Sequence, residues 1–215
     1  MNNINIQANI MAKKILCISI LALGLNTAFA DDFVNDEYTE VSNNNAGIYL
    51  GLQLGMSNMH YGPSSGYLLN TNTVDNKKFA GRGYVGYAFS QFISAELGYD
   101  YFGYPNFKAQ DGNTQNILQQ GLDLVAKATL PLDYGFGFYI KGGLAWIHRS
   151  ALNANNNTFA AKSANSTFAP IGSLGVNYWF APNIALDLAW TKTMTISNLP
   201  TIDFFSLGIV YKINI

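Results

Sequence analysis

The stretch GIYLGLQLGMS, Gly47 to Ser57, alternates between two kinds of residue without a break. Ile48, Leu50, Leu52, Leu54 and Met56 fall on one face of an extended chain; Tyr49, Gly51, Gln53, Gly55 and Ser57 fall on the other. A period of two describes a β-strand between two different surroundings. In a soluble barrel the leucines would face the core and the polar set would face water. In an outer-membrane barrel the leucines meet lipid, and the glycines and polar side chains line a narrow lumen. One strand cannot separate these readings, but the rest of the chain does.

The N-terminal region reads as a leader. From Met11 the chain runs through Lys13 and Lys14, an apolar stretch from Ile15 to Leu25, and then Ala28-Phe29-Ala30. Basic, apolar and small-x-small segments in that order describe a cleavable secretory signal over residues 1–30, with Met11 an alternative start and cleavage after Ala30. The apolar stretch is too short for a bilayer anchor, which needs ~20 residues. Cys17 is the chain's single cysteine and lies inside this stretch. Lys14-Ile15-Leu16 before it is not the small-residue context of a lipidation site. Cleavage would remove it, leaving no thiol for a disulfide, a nucleophile or a metal.

Composition narrows the class. Charged residues make up 12% of the chain and aromatic ones 14%, against ~25% charged in a typical soluble domain. Without Lys13 and Lys14, ten basic side chains face thirteen acidic ones, a net charge of −3. That balance excludes a basic nucleic-acid footprint. Residues 31–45, DDFVNDEYTEVSNNN, hold five acids and no base, as a solvated periplasmic segment would. The remaining residues, 46–215, suit one domain.

From Ala46 onward one rhythm repeats. Alternating stretches run over Ile48–Ser57, Phe79–Phe89, Phe92–Phe102, Gly121–Leu130, Phe136–Arg149, Pro170–Phe180, Ile184–Thr191 and Phe205–Ile215. Most are near the ~9–11 residues a tilted strand needs to cross a membrane. Ser90-Gln91, Pro131–Gly135 and Ala181–Asn183 are short connections, whereas residues 58–78, 103–120, 150–166 and 195–202 are longer. Short turns at one end and long loops at the other are the pattern of periplasmic turns and surface loops. Asp203 is read as part of the last long connection.

The aromatics decide the opening question. On the leucine face, Phe79, Tyr99, Tyr101, Trp146, Trp190 and Phe205 gather near the long loops. Tyr87, Phe89, Phe136, Phe138, Tyr178 and Phe180 gather near the short turns, with aliphatic residues and glycine between. Two aromatic girdles around an aliphatic band are what a bilayer's interfaces select. A packed soluble core has no reason to sort its aromatics by height. The leucines face lipid, and the expected fold is an all-β, eight-stranded antiparallel up-and-down transmembrane barrel, its lumen filled by side chains.

The blocks GRGYVGYAFSQFISAELGYDYFG, GLDLVAKATLPL, YIKGGLAW, GVNYWFAPNIALDLAW and SLGIVYKINI, in this order and spacing, resemble the OmpA-like outer-membrane β-barrel family. The resemblance covers the transmembrane domain and the chain stops after the last strand, as in short opacity or adhesin-type members. It implies a C-terminal assembly signal read by the barrel-assembly machinery, here Gly208, Tyr211, Ile213 and Ile215, ending on an aliphatic residue where the family ends on an aromatic one. It also implies a salt-bridge gate in the lumen. Glu96 and Lys127 match a gating glutamate and its lysine partner, and Lys141 matches another interior base. Asn177 stands where the family has a second acid, and Asp187 where it has an arginine. Arg82, without a counterpart, compensates for that arginine. The same residues also read as a purely structural charge cluster.

An enzyme is the competing class. His148 and Ser150 share the lipid-facing parity at the outer rim, where some small barrels cut lipid A. A serine hydrolase needs a base in hydrogen-bond reach and a carboxylate to orient it, and no acid lies between Asp133 and Asp187. The reading is therefore a non-enzymatic, monomeric barrel in the outer membrane of a Gram-negative bacterium, with no cofactor. It would contact outer-membrane lipid and lipopolysaccharide, support envelope integrity and present four surface loops. A surface adhesin with a host ligand and a narrow gated channel stay open as alternatives.

Overall fold

The computed structural model describes residues 46–61, 71–109, 114–151, 163–194 and 200–213. The leader, the cleavage position after Ala30, the acidic segment 31–45 and Ile215 lie outside the described residues. The strands are β1 (Gly47–Met59), β2 (Thr71–Asp75), β3 (Lys77–Ala88), β4 (Ile93–Gly103), β5 (Asn106–Ala109) and β6 (Thr114–Asn116), followed by β7 (Gln119–Pro131), β8 (Phe136–Arg149), β9 (Asn165–Ala181), β10 (Ile184–Thr193) and β11 (Ile202–Lys212). Eight of them close in the order β1-β11-β10-β9-β8-β7-β4-β3, each antiparallel to both neighbours. Following directly opposed residues around the wall, a path leaves β3 at Lys77, passes Asn58, Asp203, Lys192, Gly172, Gly142, Ala126 and Ala95, and returns to β3 at Tyr87. Rows that climb like this require tilted strands, the geometry of a closed barrel.

Alternation along each strand places the side chains as the sequence predicts. Leu52, Leu124 and Phe205 point outward and are 58%, 62% and 61% exposed, whereas Gln53, Glu96 and Asp187 point inward and are buried. Leaving one such leucine or phenylalanine in water forgoes ~1.5–3 kcal/mol of burial, so a whole outer wall of them is stable only against lipid. No helix among the described residues is long and apolar enough to cross a membrane; the strands do so instead. Outward rows read off the register sort by height. On β3, β1, β11 and β10 the row Phe79, Met56, Phe205, Trp190 lies above Gly81, Leu54, Leu207, Leu188. On β4, β7, β8 and β9 the row Tyr99, Leu122, Trp146, Phe168 lies above Leu97, Leu124, Leu144, Pro170.

The short turns are built locally. Ser90 Oγ accepts hydrogen bonds from the Phe92 and Ile93 backbone N–H groups, both at 3.2 Å. Between β7 and β8 the chain makes one 3-10 turn, Asp133–Gly135, with Tyr134 and Gly135 at φ 60° and 80°. Glycine adopts that conformation freely, so it is Gly135 that lets the hairpin close.

Three features depart from the sequence reading. Strand β9 begins at Asn165 rather than Pro170, because the top of β8 offers Arg149 and His148 as partners for Asn165 and Ser166. Pro170 is tolerated inside it: its carbonyl accepts from Met194 N at 2.9 Å, just past the end of β10, so its missing N–H forgoes only a terminal bond of that ladder. Second, Asp203 belongs to β11 and not to a loop, opposite Asn58 and Lys192. Third, the first two long connections carry β2, β5 and β6, which form a separate three-stranded sheet in the order β2-β5-β6. Its residues are mostly polar and its strands only 5, 4 and 3 residues long, too short to carry a period of two.

Inside, the lumen is layered. Towards the long loops Met59, Phe102, Ile147, Ile171, Ile202 and Phe204 form an apolar plug with Tyr61, Phe107 and Ile117. Phe107 comes from β5 and meets Tyr61 edge-on, with ring centroids 5.3 Å apart. Towards the short turns a smaller apolar group, Tyr49, Tyr84, Ala185 and Val210, packs with Ala88 and Trp179. Most of the buried charged residues lie between; Arg149 and Lys212 are buried nearer the two ends.

Candidate functional site

Gly51, Gly86, Gly98 and Gly175 make room for the charged tier, since a Cβ on any of them would run into Tyr84, Tyr49, the Arg82–Asp123 pair or Tyr139 respectively. The large polar side chains therefore lean over glycines on neighbouring strands to meet at the axis. Arg82 from β3 is the hub. Its Nε and Nη2 donate to Asp123 at 2.9 and 2.7 Å, and its Nη1 donates to Glu96 Oε2 at 3.0 Å. Asp100 Oδ1 lies 3.7 Å from the same Nε. Arginine suits this position because its planar fork serves two carboxylates at once.

Glu96 is the second hub. Oε2 also accepts from Lys141 Nζ at 2.8 Å, and Oε1 accepts from Tyr49 OH at 3.0 Å. Lys127, which the resemblance makes its partner, is farther away at 3.8 Å and sits over the Tyr139 ring, 4.2 Å from its centroid. Lys141 and Arg82 are the closer bases. The register explains the order: Lys127 stands opposite Ser94 rather than Glu96, so it reaches Glu96 diagonally.

Asp187 does not join this cluster. Its Oδ1 accepts from Gln53 Nε2 at 2.9 Å and from Tyr139 OH at 2.6 Å, and no Lys, Arg or His among the described residues approaches within ion-pair distance. Asn177 lies directly opposite it. Asp100, Asp123, Tyr49, Gln53 and Tyr139 complete the tier without having been singled out in the sequence. Their inward parity was visible; their meeting across non-adjacent strands was not. Replacing such side chains with unpaired ones would be costly, because a charge taken out of water needs partners on every side.

Other candidate sites are simpler. His148 Nδ1 is 2.8 Å from Ser166 Oγ, whereas Ser150 Oγ accepts from Leu118 N at 2.9 Å. The serine expected beside the histidine is therefore engaged elsewhere, and no carboxylate among the described residues pairs with His148. No group of three or more potential ligands is placed to hold a metal among the described residues. At the C-terminal end Gly208 faces the lumen opposite Gln53, Tyr211 faces outward opposite Leu50, and Ile213 N donates to Ile48 O at 2.9 Å just past β11.

With the closed eight-stranded wall and the charged lumen established, comparison with known proteins gives the family. The model of the OmpA-like transmembrane domain matches residues 43–214. This chain belongs to the OmpA-like transmembrane-domain family. An uncharacterized protein of Coxiella burnetii is 28% identical over 179 residues, covering 66% of this chain and 71% of that protein. Outer membrane protein A of Escherichia fergusonii is 28% identical over 175 residues; the match covers 76% of this chain but only 48% of that protein. Among solved structures, Neisserial surface protein A superposes with a TM-score of 0.55 at 15% identity, over 79% of this chain and 99% of that one. The outer membrane protein OprG of Pseudomonas aeruginosa gives 0.53 at 13%, over 78% and 98%. The two structures share the fold. The OmpA-like barrel is an outer-membrane protein of a Gram-negative bacterium.

Proposed function

We propose that this OmpA-like barrel is a non-enzymatic surface protein that anchors the envelope and works through its extracellular tier. The layered lumen carries this reading. A conducting pore needs an open path, but buried side chains fill the lumen, the charged tier lying between two clusters built largely of apolar residues. The Phe102, Ile147 and Phe204 side of the lumen is closed by residues of the loop region, Phe107 and Ile117 among them. Breaking the Glu96 contacts would leave that plug in place, so a gate at Glu96 alone has little to open. The structural reading of the charge cluster is the better supported one. The outer connections hold folded structure of their own, which supports a rigid surface for a ligand, and adhesion is the second reading. Gly208, Tyr211, Ile213 and Ile215 serve as the assembly signal, with Tyr211 on the outer face of β11 opposite Leu50.

The test pairs two measurements on the full chain. In planar bilayers the wild-type protein and Glu96→Ala should both lack stable single-channel conductance; discrete openings would restore the channel reading. On intact cells, replacing residues 62–70 with a Gly/Ser linker should lower binding to host-cell monolayers while the heat-dependent gel shift of the barrel is kept. Unchanged binding would remove the adhesin reading.

A further inference from the structure

The outer rim of the wall is not uniform. On β3, β1, β11 and β10, Lys77, Asn58, Asp203 and Lys192 stand directly opposite one another on the outward face. The same position on β4, β7, β8 and β9 holds Tyr101, Gln120, His148 and Ser166. Both rows sit immediately above an aromatic row, where hydrocarbon gives way to headgroups. Lysine and aspartate occur on one half only.

That half is also organised. Asp203 Oδ1 lies 3.4 Å from Lys192 Nζ and accepts from Trp190 Nε1 at 3.2 Å, while its Oδ2 lies 3.6 Å from His60 Nε2. One carboxylate therefore gathers an ammonium, an imidazole and an indole. Lys77 stands two strands away, ~10 Å by the usual strand spacing, and is exposed. Two lysines against one aspartate leave the patch positive. Below it, Trp190 stacks on Phe205 with ring centroids 6.2 Å apart, and then come Leu188 and Leu207. Beneath Phe79, Gly83 leaves a shallow hollow, since a Cβ there would meet nothing within 4 Å.

We infer that the β10–β11–β1–β3 side of the rim is a binding site for the phosphorylated sugar headgroup of an outer-leaflet glycolipid. Lys192 and Lys77 take the anionic groups, and the acyl chains lie against the Trp190–Phe205–Met56–Phe79 row. The charge is complementary, the height is that of the headgroups, and the apolar ladder beneath continues into the bilayer. Asp203 competes with the headgroup: it lies against Lys192 and His60 and moderates their charge. The inference rests on the outer-membrane placement of the barrel, which the heat-dependent gel shift reports separately.

The experiment uses the full folded barrel in neutral detergent, with retained lipid counted by native mass spectrometry as defined probes are added. The probes are diphosphorylated lipid A, the same lipid stripped of phosphate, and inorganic phosphate. One lipid A should bind the wild type preferentially, the stripped form should bind at least tenfold more weakly, and millimolar phosphate should not displace the lipid. Each lysine near an anionic lipid surface contributes about fivefold, so Lys77→Gln with Lys192→Gln should lose about twenty- to thirtyfold. Asp203→Asn should bind more tightly, because it removes the one carboxylate of the Lys77–Asn58–Asp203–Lys192 row. Gln120→Ala with His148→Ala, on the uncharged half, should bind as the wild type does. Equal affinity for the stripped lipid, unchanged binding in the double lysine variant, or equal losses on both halves would overturn the site. A variant that loses the gel shift is replaced by its single-lysine form, read by the same criterion.

Discussion

Arg82 and Asp123 are joined by two parallel hydrogen bonds, at 2.9 and 2.7 Å, although the strands that carry them are not neighbours. The pair reaches across β4 over Gly98, where a Cβ would lie 2.8 Å from Arg82 Nε. The interior is thus cross-braced as well as closed around its wall.

Arg82→Ala should therefore be the most damaging single change in the charged tier. It leaves Asp123 and one side of Glu96 without their base, and breaking a buried pair typically costs ~3–5 kcal/mol. Lys127→Ala should cost clearly less, since Lys127 stands 3.8 Å from Glu96 and Lys141 stands at 2.8 Å. Denaturant midpoints of the folded protein in micelles would rank the three bases as Arg82, Lys141, Lys127. A Lys127 variant as unstable as Arg82→Ala would show that the network is arranged differently.

Gly98→Ala should destabilise without removing any charge. The new methyl group competes with the Arg82–Asp123 pair for one space, and overpacking of this kind usually costs ~1–3 kcal/mol. Combined with Arg82→Ala, the glycine change should lose most of its effect, because contacting residues are not additive. Additive losses in the double variant would mean that Gly98 is required for some other reason.

Phe107→Ala tests the plug. A buried phenylalanine truncated to alanine costs ~3–5 kcal/mol, and here the loss falls on the sheet of β2, β5 and β6 rather than on the wall. Limited proteolysis should cut within residues 104–118 faster than in the wild type, while the barrel itself keeps its gel shift. Equal cleavage rates would separate Phe107 from the stability of that sheet.

Closure of the wall leaves no unpaired strand edge in the bilayer, so unfolding should be slow and cooperative. Unboiled protein should migrate at a different apparent mass from boiled protein, with a β-type circular dichroism spectrum. Identical migration, or a helical spectrum, would contradict the barrel.

Orientation is open to a labelling test, because cleavage after Ala30 would leave the chain without cysteine. A cysteine placed at Asn153 should react with a membrane-impermeant maleimide on intact cells, and one placed at Asn183 should react only after lysis. The reverse pattern would invert the topology.

The wall was legible in the sequence because each strand carries its own signal. Leu50 and Gln53 declare their faces by parity, and Trp146 and Phe138 declare their height by chemistry. What could not be read depends on pairs distant in sequence. Lys141 and Glu96 are 45 residues apart, and which of three inward bases approaches Glu96 most closely depends on register and tilt. Asp203 reads as loop for a related reason: a lone Ile202 before it is too short a pattern to mark a strand, and the partners Asn58 on β1 and Lys192 on β10 place it in β11. Phe102, Phe107, Ile117 and Ile147 each look like an ordinary apolar residue until the loops fold over the mouth.

Of the eight ladders in the wall, seven join strands consecutive around the hairpin order, and one, β1 with β11, brings Tyr49 to Lys212. Loop-closure entropy makes such a distant pairing the slow one, so the cylinder is finished by a single clasp. Until the clasp shuts, two strands present bare hydrogen-bonding edges, the condition under which chains pair with the wrong neighbour. The last step of assembly is then also its most vulnerable, and it falls on a seam where Gly55 and Gly208 admit no side chain: a Cβ on Gly55 would run into the Phe205 backbone, and one on Gly208 into that of Leu52. A bulky residue there would harm the making of this protein more than its upkeep.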